Sequence, residues 1–311
     1  YGFLVMFGVI TLVFVLFNIL PGDPARMMLG QRADEKSIEA IHKELGLDKP
    51  LHHQYCKYIY DLSHFDLRRS YQSGKPVVDI LKEAFPNTIY LALLSITIAF
   101  VLGVTLGSLA AVFKDGWLEK TILVITSLGM SLPSFFAAIL IAWIFAFLLA
   151  DYTGLSMFGS LYSVDDFGEG EYLSLKNIIL PAITLGIRPL AVITELTKST
   201  MKEVLSQDYI RTAKAKGLSR FKVIYSHALR NTLNPIVSSV SGWFASLIAG
   251  AVFVEYIFDW KGVGVVIVDS LEKYDFPVLM GALIVICVIL IIINVVTDII
   301  YALLDPRVRI K

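Results

Sequence analysis

Arg188 and Glu195 interrupt an otherwise apolar run, 177 to 197, and stand seven residues apart. Seven residues is two helical turns, so both side chains project from one face. Arg188 lies 12 residues past Lys176, roughly 18 Å along a helix. That depth is near the middle of a bilayer, where a charge costs about 2.5–3.5 kcal/mol. Such a group must face a polar route, a counter-ion or the protein interior, or snorkel to an edge. Asn294 and Asp298, one turn apart in the last apolar run, raise the same alternatives. These groups can hold and pass a polar solute, but they do not break bonds. The bond-breaking sets are missing: the sequence has no G-x-x-x-x-G-K-[ST], no H-E-x-x-H and no G-x-S-x-G. It is therefore read as a non-enzyme that binds no cofactor of its own. His42, His52, His53 and His64 gather in segment 21–86, yet no His/Cys spacing matches a ligand pattern, and surface histidines are the plainer reading. Cys56 and Cys287 fall in segments that cannot pair, so a disulfide framework is excluded.

The elements that must position these residues are membrane helices. Hydrophobic residues make up 56% of the 311, and residues 1–20, 87–113, 121–150 and 278–297 carry no charge. About 20 helical residues cross a hydrocarbon core of about 30 Å. Two less clean runs, 177–197 and 235–254, bring the expected count to six spans. With the flanking residues the spans are placed at 1–20, 87–113, 118–150, 177–200, 231–254 and 277–304. The first run is long, lacks a basic leader and is followed by "LPGDPA", so it reads as an anchor and not as a signal peptide. The chain opens on Tyr1, which implies a short lead ahead of it. Pro133 predicts a kink in the third span. Gly103 and Gly107 form a G-x-x-x-G that lets two helices approach closely.

Zero net charge hides a strong polarity. Eight Lys and Arg against two acids lie between 198 and 230, and Arg307, Arg309 and Lys311 crowd the end. Loop 151–176 is acidic, with Asp151, Asp165, Asp166, Glu169 and Glu171. The positive-inside rule then puts both termini and the 201–230 loop in the cytoplasm. Segment 21–86 becomes a small external cap with two helices. In the first of these, Ile38, Ile41 and Leu45 share a face, and Gly46 marks the stop.

The stretch "SQDYIRTAKAKGLSRFKVIYSHALRN" is the polar exception between two spans. Asp208 suits a first helical turn, Lys214 and Lys216 a last turn, and Gly217 a left-handed stop. Tyr209 and Ala213 are expected to form an outward apolar knob. Ser219 is expected to cap a second helix with Phe221, Ile224, Tyr225 and Ala228 on its membrane side. A basic loop that only fixes topology and meets anionic lipid explains the charge. Docking to a cytoplasmic partner explains the caps and the knob as well.

The segment "DYIRTAKAKGLSRFKVIYSHALRNTLNP" resembles the EAA-type cytoplasmic loop of ABC importer permeases, in the form seen in the dipeptide and oligopeptide (peptide/nickel) family, first-permease branch. Arg211-Thr212-Ala213 and Gly217 occupy the motif, while its leading Glu and final Pro are absent. "LPGDPA", "LGLDKPLHHQY", "FDLRRSYQSGKPV", "FPNTIYLALL", "AVFVEYIFDWKGVG", "YDFPV" and "LDPRVR" are similar to family segments in the same order, with Lys261 where a proline is usual. The resemblance implies an all-α, type I ABC importer permease of a bacterial or archaeal plasma membrane. It also implies a second homologous permease, two cytoplasmic ATPases that use ATP and Mg, an external solute-binding protein, and no nucleic acid. ATPase coupling falls to Gln207, Asp208, Tyr209, Ile210, Arg211, Thr212, Ala213, Lys214 and Gly217. The pathway falls to Arg188, Glu195, Asn294 and Asp298. Contact with the binding protein falls to Asp165, Asp166, Glu169, Glu171 and Glu255. Peptide is the expected cargo, with nickel chelate or glutathione as alternatives. An ATP-independent carrier or channel is the competing class, and it would show paired half-helix breaks.

Overall fold

The computed structural model of the chain describes residues 2–19, 25, 34–64, 66–159, 161–164 and 171–304. Its helices are α1 (Gly2–Ile19), α2 (Glu35–Leu45), α3 (Leu51–Ser63), α4 (Val77–Val112), α5 (Trp117–Ser131) and α6 (Ser134–Ile141). After these come α7 (Ile179–Leu205), α8 (Asp208–Ala215), α9 (Arg230–Gly250), α10 (Val252–Ile257), α11 (Val263–Glu272) and α12 (Phe276–Leu304). A hairpin departs from the all-α expectation: β1 (Tyr162–Val164) pairs antiparallel with β2 (Glu171–Leu173). Three helices, α4, α7 and α12, are long and apolar enough to cross a membrane by themselves, among the described residues. The apolar stretches of α1 and α9, Leu4–Val15 and Pro235–Ala249, are shorter.

The third apolar run is broken rather than kinked. Residues Trp117–Ser131 and Ser134–Leu148 meet at 113°. Leu132 takes extended backbone angles (φ −78, ψ 129) because Pro133 disfavours helix in the residue before it. Beyond α6 the chain widens into a π-helical stretch, Ala142–Leu148. α4 begins at Val77, ahead of the uncharged run, and carries Pro86 within it.

The chain divides into two compact units. In the unit formed by residues 1–87 and 261–291, Val77, Leu81, Ala84 and Phe85 of α4 pack with Val263 of α11 and with Val278, Ala282 and Ile286 of α12. Phe14 of α1 stacks on Tyr58 of α3, and Thr11 shares a 2.6 Å hydrogen bond with the Tyr55 hydroxyl. Asp275, buried ahead of α12, accepts the Ser70 hydroxyl and the Tyr71 backbone N–H, the latter at 3.0 Å. This carboxylate thereby fixes the loop that leads into α4. Gly46 stops α2 in the left-handed conformation, φ +72. The side chains of Ile41 and Leu45 lie outside the described residues.

In the unit formed by residues 88–260 and 292–311, α7 is the central strut, with α4, α5 and α9 against it. The G-x-x-x-G of α4 is a contact surface for α7. A Cβ on Gly103 would stand 2.8 Å from Ile193 Cγ2, and one on Gly107 would stand 2.5 Å from the Thr194 carbonyl oxygen. Neither distance is tolerable against backbone or a β-branched stem, so only glycine permits this approach.

Candidate coupling surface and pathway residues

α8 has eight residues, too few to hold a helix in water unaided. It is kept by burial of one edge. Ile210 is 0% exposed and Ala213 6%, and both pack with Ala111, Met201, Val223 and Ala228. Burying a side chain such as Ile210 stabilises by about 1.5–3 kcal/mol. Asp208 sits in the first turn, Lys214 in the last, and Gly217 closes the element at φ +76, as the sequence leads one to expect. The expected outward knob is corrected. Ala213 points into the chain's own core, because only the 210/213 edge can meet α7 and the 223–228 segment. The outward face consists of Asp208, Tyr209, Arg211, Thr212 and Lys214, with Gln207 exposed just before it. Tyr209 keeps an exposed ring while its hydroxyl accepts Asn231 Nδ2 at 2.9 Å. Arg211 reaches Asp208 at 3.2 Å, and the Thr212 hydroxyl donates to the Asp208 carbonyl at 3.1 Å.

Ser219 caps the following turn, accepting the Lys222 N–H at 3.4 Å. Val223–Leu229 is π-helical. Val223 and Ala228 are buried and Ile224 half-buried, but Phe221 and Tyr225 are exposed and stack on each other with centroids 5.9 Å apart.

A carboxylate that sequence reasoning passed over ties this region together. Glu119, in the first turn of α5, accepts Lys198 Nζ at 2.8 Å and Lys202 Nζ at 2.9 Å, and the Asp115 backbone N–H at 2.6 Å. Lys198 and Lys202 stand one turn apart on α7, just before α8, and the Glu119 side chain is 8% exposed. The signal was available: an i, i+4 lysine pair needs an acid opposite, and "FKDGWLEK" supplies one. Arg220 likewise donates to the Val112 carbonyl at the end of α4, 3.1 Å.

Arg188 and Glu195 are exposed on one stripe of α7, while the opposite side, including Ile193, Thr194 and Thr197, is buried. Neither forms an ion pair among the described residues. Asn294 is exposed on α12, and the Asp298 side chain lies outside the described residues. Of the acidic candidates, Asp165, Asp166 and Glu169 lie outside the described residues, and Glu171 opens β2. Glu255 is corrected: it is 0% exposed in α10 and accepts the Thr88 hydroxyl at 2.7 Å, so it cannot present its carboxylate to a partner.

The site is thus a short polar helix with one buried edge, set between two apolar helices. Comparison with known families decides the matter. Residues 103–310 match the family described as binding-protein-dependent transport system inner membrane component, and residues 2–92 match the N-terminal family of the same membrane component. The chain belongs to this family. Among curated relatives, "Probable D,D-dipeptide transport system permease protein DdpB" of Escherichia coli strain K12 is 35% identical, over 98% of this chain and 94% of its own. The glutathione transport system permease protein GsiC of the same strain is 36% identical, over 98% and 95%. In fold, the chain is similar to the MetNI methionine ABC transporter in inward-facing conformations, with a TM-score of 0.58 over 73% of this chain and 97% of that one, at 16% identity. The chain is thus a transport permease subunit with the type I ABC importer fold.

Proposed function

We propose that this permease is half of the translocation pathway of an ATP-driven, binding-protein-dependent importer of short peptides, working by alternating access. The family match and the relatives for dipeptide and glutathione transport support a peptide-like cargo. The observation that carries the mechanism is α8, whose buried Ile210 and Ala213 make it move with α7 while its polar face stays free. In this reading α8 seats in a cleft of a cytoplasmic ATPase, with Gln207, Asp208, Tyr209, Arg211 and Thr212 at the contact and Lys214 at the edge beside it. Ile210, Ala213 and Gly217 give the helix its fixed pose. Closure of an ATPase pair, using ATP and Mg, pushes α8 and swings the spans. Arg188, Glu195, Asn294 and Asp298 face the route or the second permease, the burial that an unpaired membrane charge requires. Six spans run at α1, α4, the broken α5–α6 run, α7, α9 and α12, with both termini cytoplasmic. Asp165, Asp166, Glu169 and Glu171 form an acidic loop that meets the external binding protein.

Reconstituted vesicles test this. Uptake of a labelled tripeptide is expected only with the second permease, the ATPases, ATP and the binding protein all present. Uptake by this chain alone would replace the importer with a self-sufficient carrier.

A further inference from the structure

Beside α8 lies a half-open cleft of about 460 Å³ within the unit that holds α7. Ala111, Val112, Leu205, Leu218, Val223 and Ile224 give it an apolar lining. Lys214 and Arg220 line it too, and among the described residues no carboxylate does. Neither cation forms an ion pair among the described residues, although Arg220 is aimed by its hydrogen bond to the Val112 carbonyl. Next to the cleft the stacked rings of Phe221 and Tyr225 are 76% and 64% exposed. Aromatic rings in this state belong at a boundary between apolar and aqueous surroundings.

We propose that this cleft is a binding site for one anionic phospholipid, its phosphate held by Lys214 and Arg220 and the start of an acyl chain laid along the apolar lining. A guanidinium with free N–H groups and a nearby ammonium suit a phosphate diester. The apolar lining excludes a free inorganic anion as the natural occupant, since that ion would leave Leu205, Leu218 and Ile224 wet. A lipid meets the cations and the apolar lining at once. Only the assignment to the cytoplasmic leaflet rests on the topology proposed above. The bound lipid would brace the C-terminal turn of α8, so bilayer composition would set how firmly that helix is held.

Lipid retention on the full chain tests the proposal, read by native mass spectrometry after incubation with phosphatidylglycerol or phosphatidylcholine. This readout uses neither ATPase nor cargo, so its failure leaves the importer reading standing, and failure of the importer reading leaves it legible. Phosphatidylglycerol should be retained about tenfold better than phosphatidylcholine, and dioctanoyl phosphatidylglycerol should bind more weakly than its long-chain form. Arg220→Gln should lower phosphatidylglycerol retention about tenfold. Leu218→Trp, which crowds the apolar lining without touching charge, should do the same. Lys222→Gln, exposed and outside the cleft, should change nothing. Equal retention of the two headgroups would overturn the proposal, as would wild-type retention by both cleft variants, or displacement of the lipid by millimolar inorganic phosphate.

Discussion

Glu119→Gln removes one charge and two lysine contacts while keeping the side chain's shape. The carboxylate contacts Lys198 at 2.8 Å and Lys202 at 2.9 Å, with the lysine side chains 16% and 34% exposed. A hydrogen bond to a charged group stabilises by about 1.5–3 kcal/mol when shielded, which suits Lys198. Lys202 is wetter, and screening reduces its share to about 0.5–1 kcal/mol. Together the loss is about 2–4 kcal/mol, because the amide also leaves Lys198 without a counter-charge. At about 2 °C per kcal/mol for a large domain, the unfolding midpoint should fall by about 4–8 °C. Thermal unfolding in detergent, followed by tryptophan fluorescence, reads this directly. Lys198→Met should approach the Glu119→Gln effect, Lys202→Met should fall well short of it, and the Glu119/Lys198 pair should be strongly non-additive in a double-mutant cycle. Raising salt should change the wild type little, since the clamp is shielded. A Glu119→Gln midpoint within a degree of wild type, or a Lys202 effect larger than that of Lys198, would refute the clamp.

Other consequences are as direct. Gly107→Ala should destabilise by about 1–3 kcal/mol, because its Cβ would stand 2.5 Å from the Thr194 carbonyl; Gly242→Ala, with nothing within 4 Å, should be neutral or better in the same thermal assay. Asp275→Asn should speed amide exchange at Tyr71 and Gln72, and unchanged protection there would sink the role given to that carboxylate. The Tyr58 hydroxyl is buried with no hydrogen-bond partner among the described residues, so Tyr58→Phe should match or exceed wild-type stability, and a loss above about 1 kcal/mol would contradict this. Burial raises the phenol pKa of both Tyr58 and Tyr71. The folded-state values thus lie above the unfolded one, so their stabilising share is full below about pH 10 and declines as pH climbs beyond it. Tyr71→Phe and Tyr58→Phe should flatten that alkaline decline in a midpoint-versus-pH series.

What was legible in the sequence followed from local rules. Apolar runs locate α4, α7 and α12, and Asp208, Gly217 and Ser219 bound their turns because caps depend on neighbours along the chain. Three-dimensional partners were not legible. Ala213 reads equally well as an outward knob or an inward one until α7 and the 223–228 segment are placed around it. Glu255 looks like a surface acid beside a membrane span, and only the Thr88 hydroxyl opposite explains its burial. Pro133 announces a bend, but its size, 113°, depends on what packs on each side. The π-helical stretch at Val223–Leu229 was not legible either, because reading a 3.6-residue period assumes the i→i−4 ladder that this stretch leaves.

If α8 transmits the work of an ATPase, altering its outward face alone should uncouple the complex. Tyr209→Asp with Arg211→Asp leaves Ile210 and Ala213 in place, so the chain should fold and keep its second permease. In the purified complex the ATPase subunits should be lost on washing, or remain with turnover no longer stimulated by peptide-loaded binding protein. An Ile210→Val control should couple normally. Wild-type ATPase retention together with wild-type stimulation in the double variant would contradict the claim.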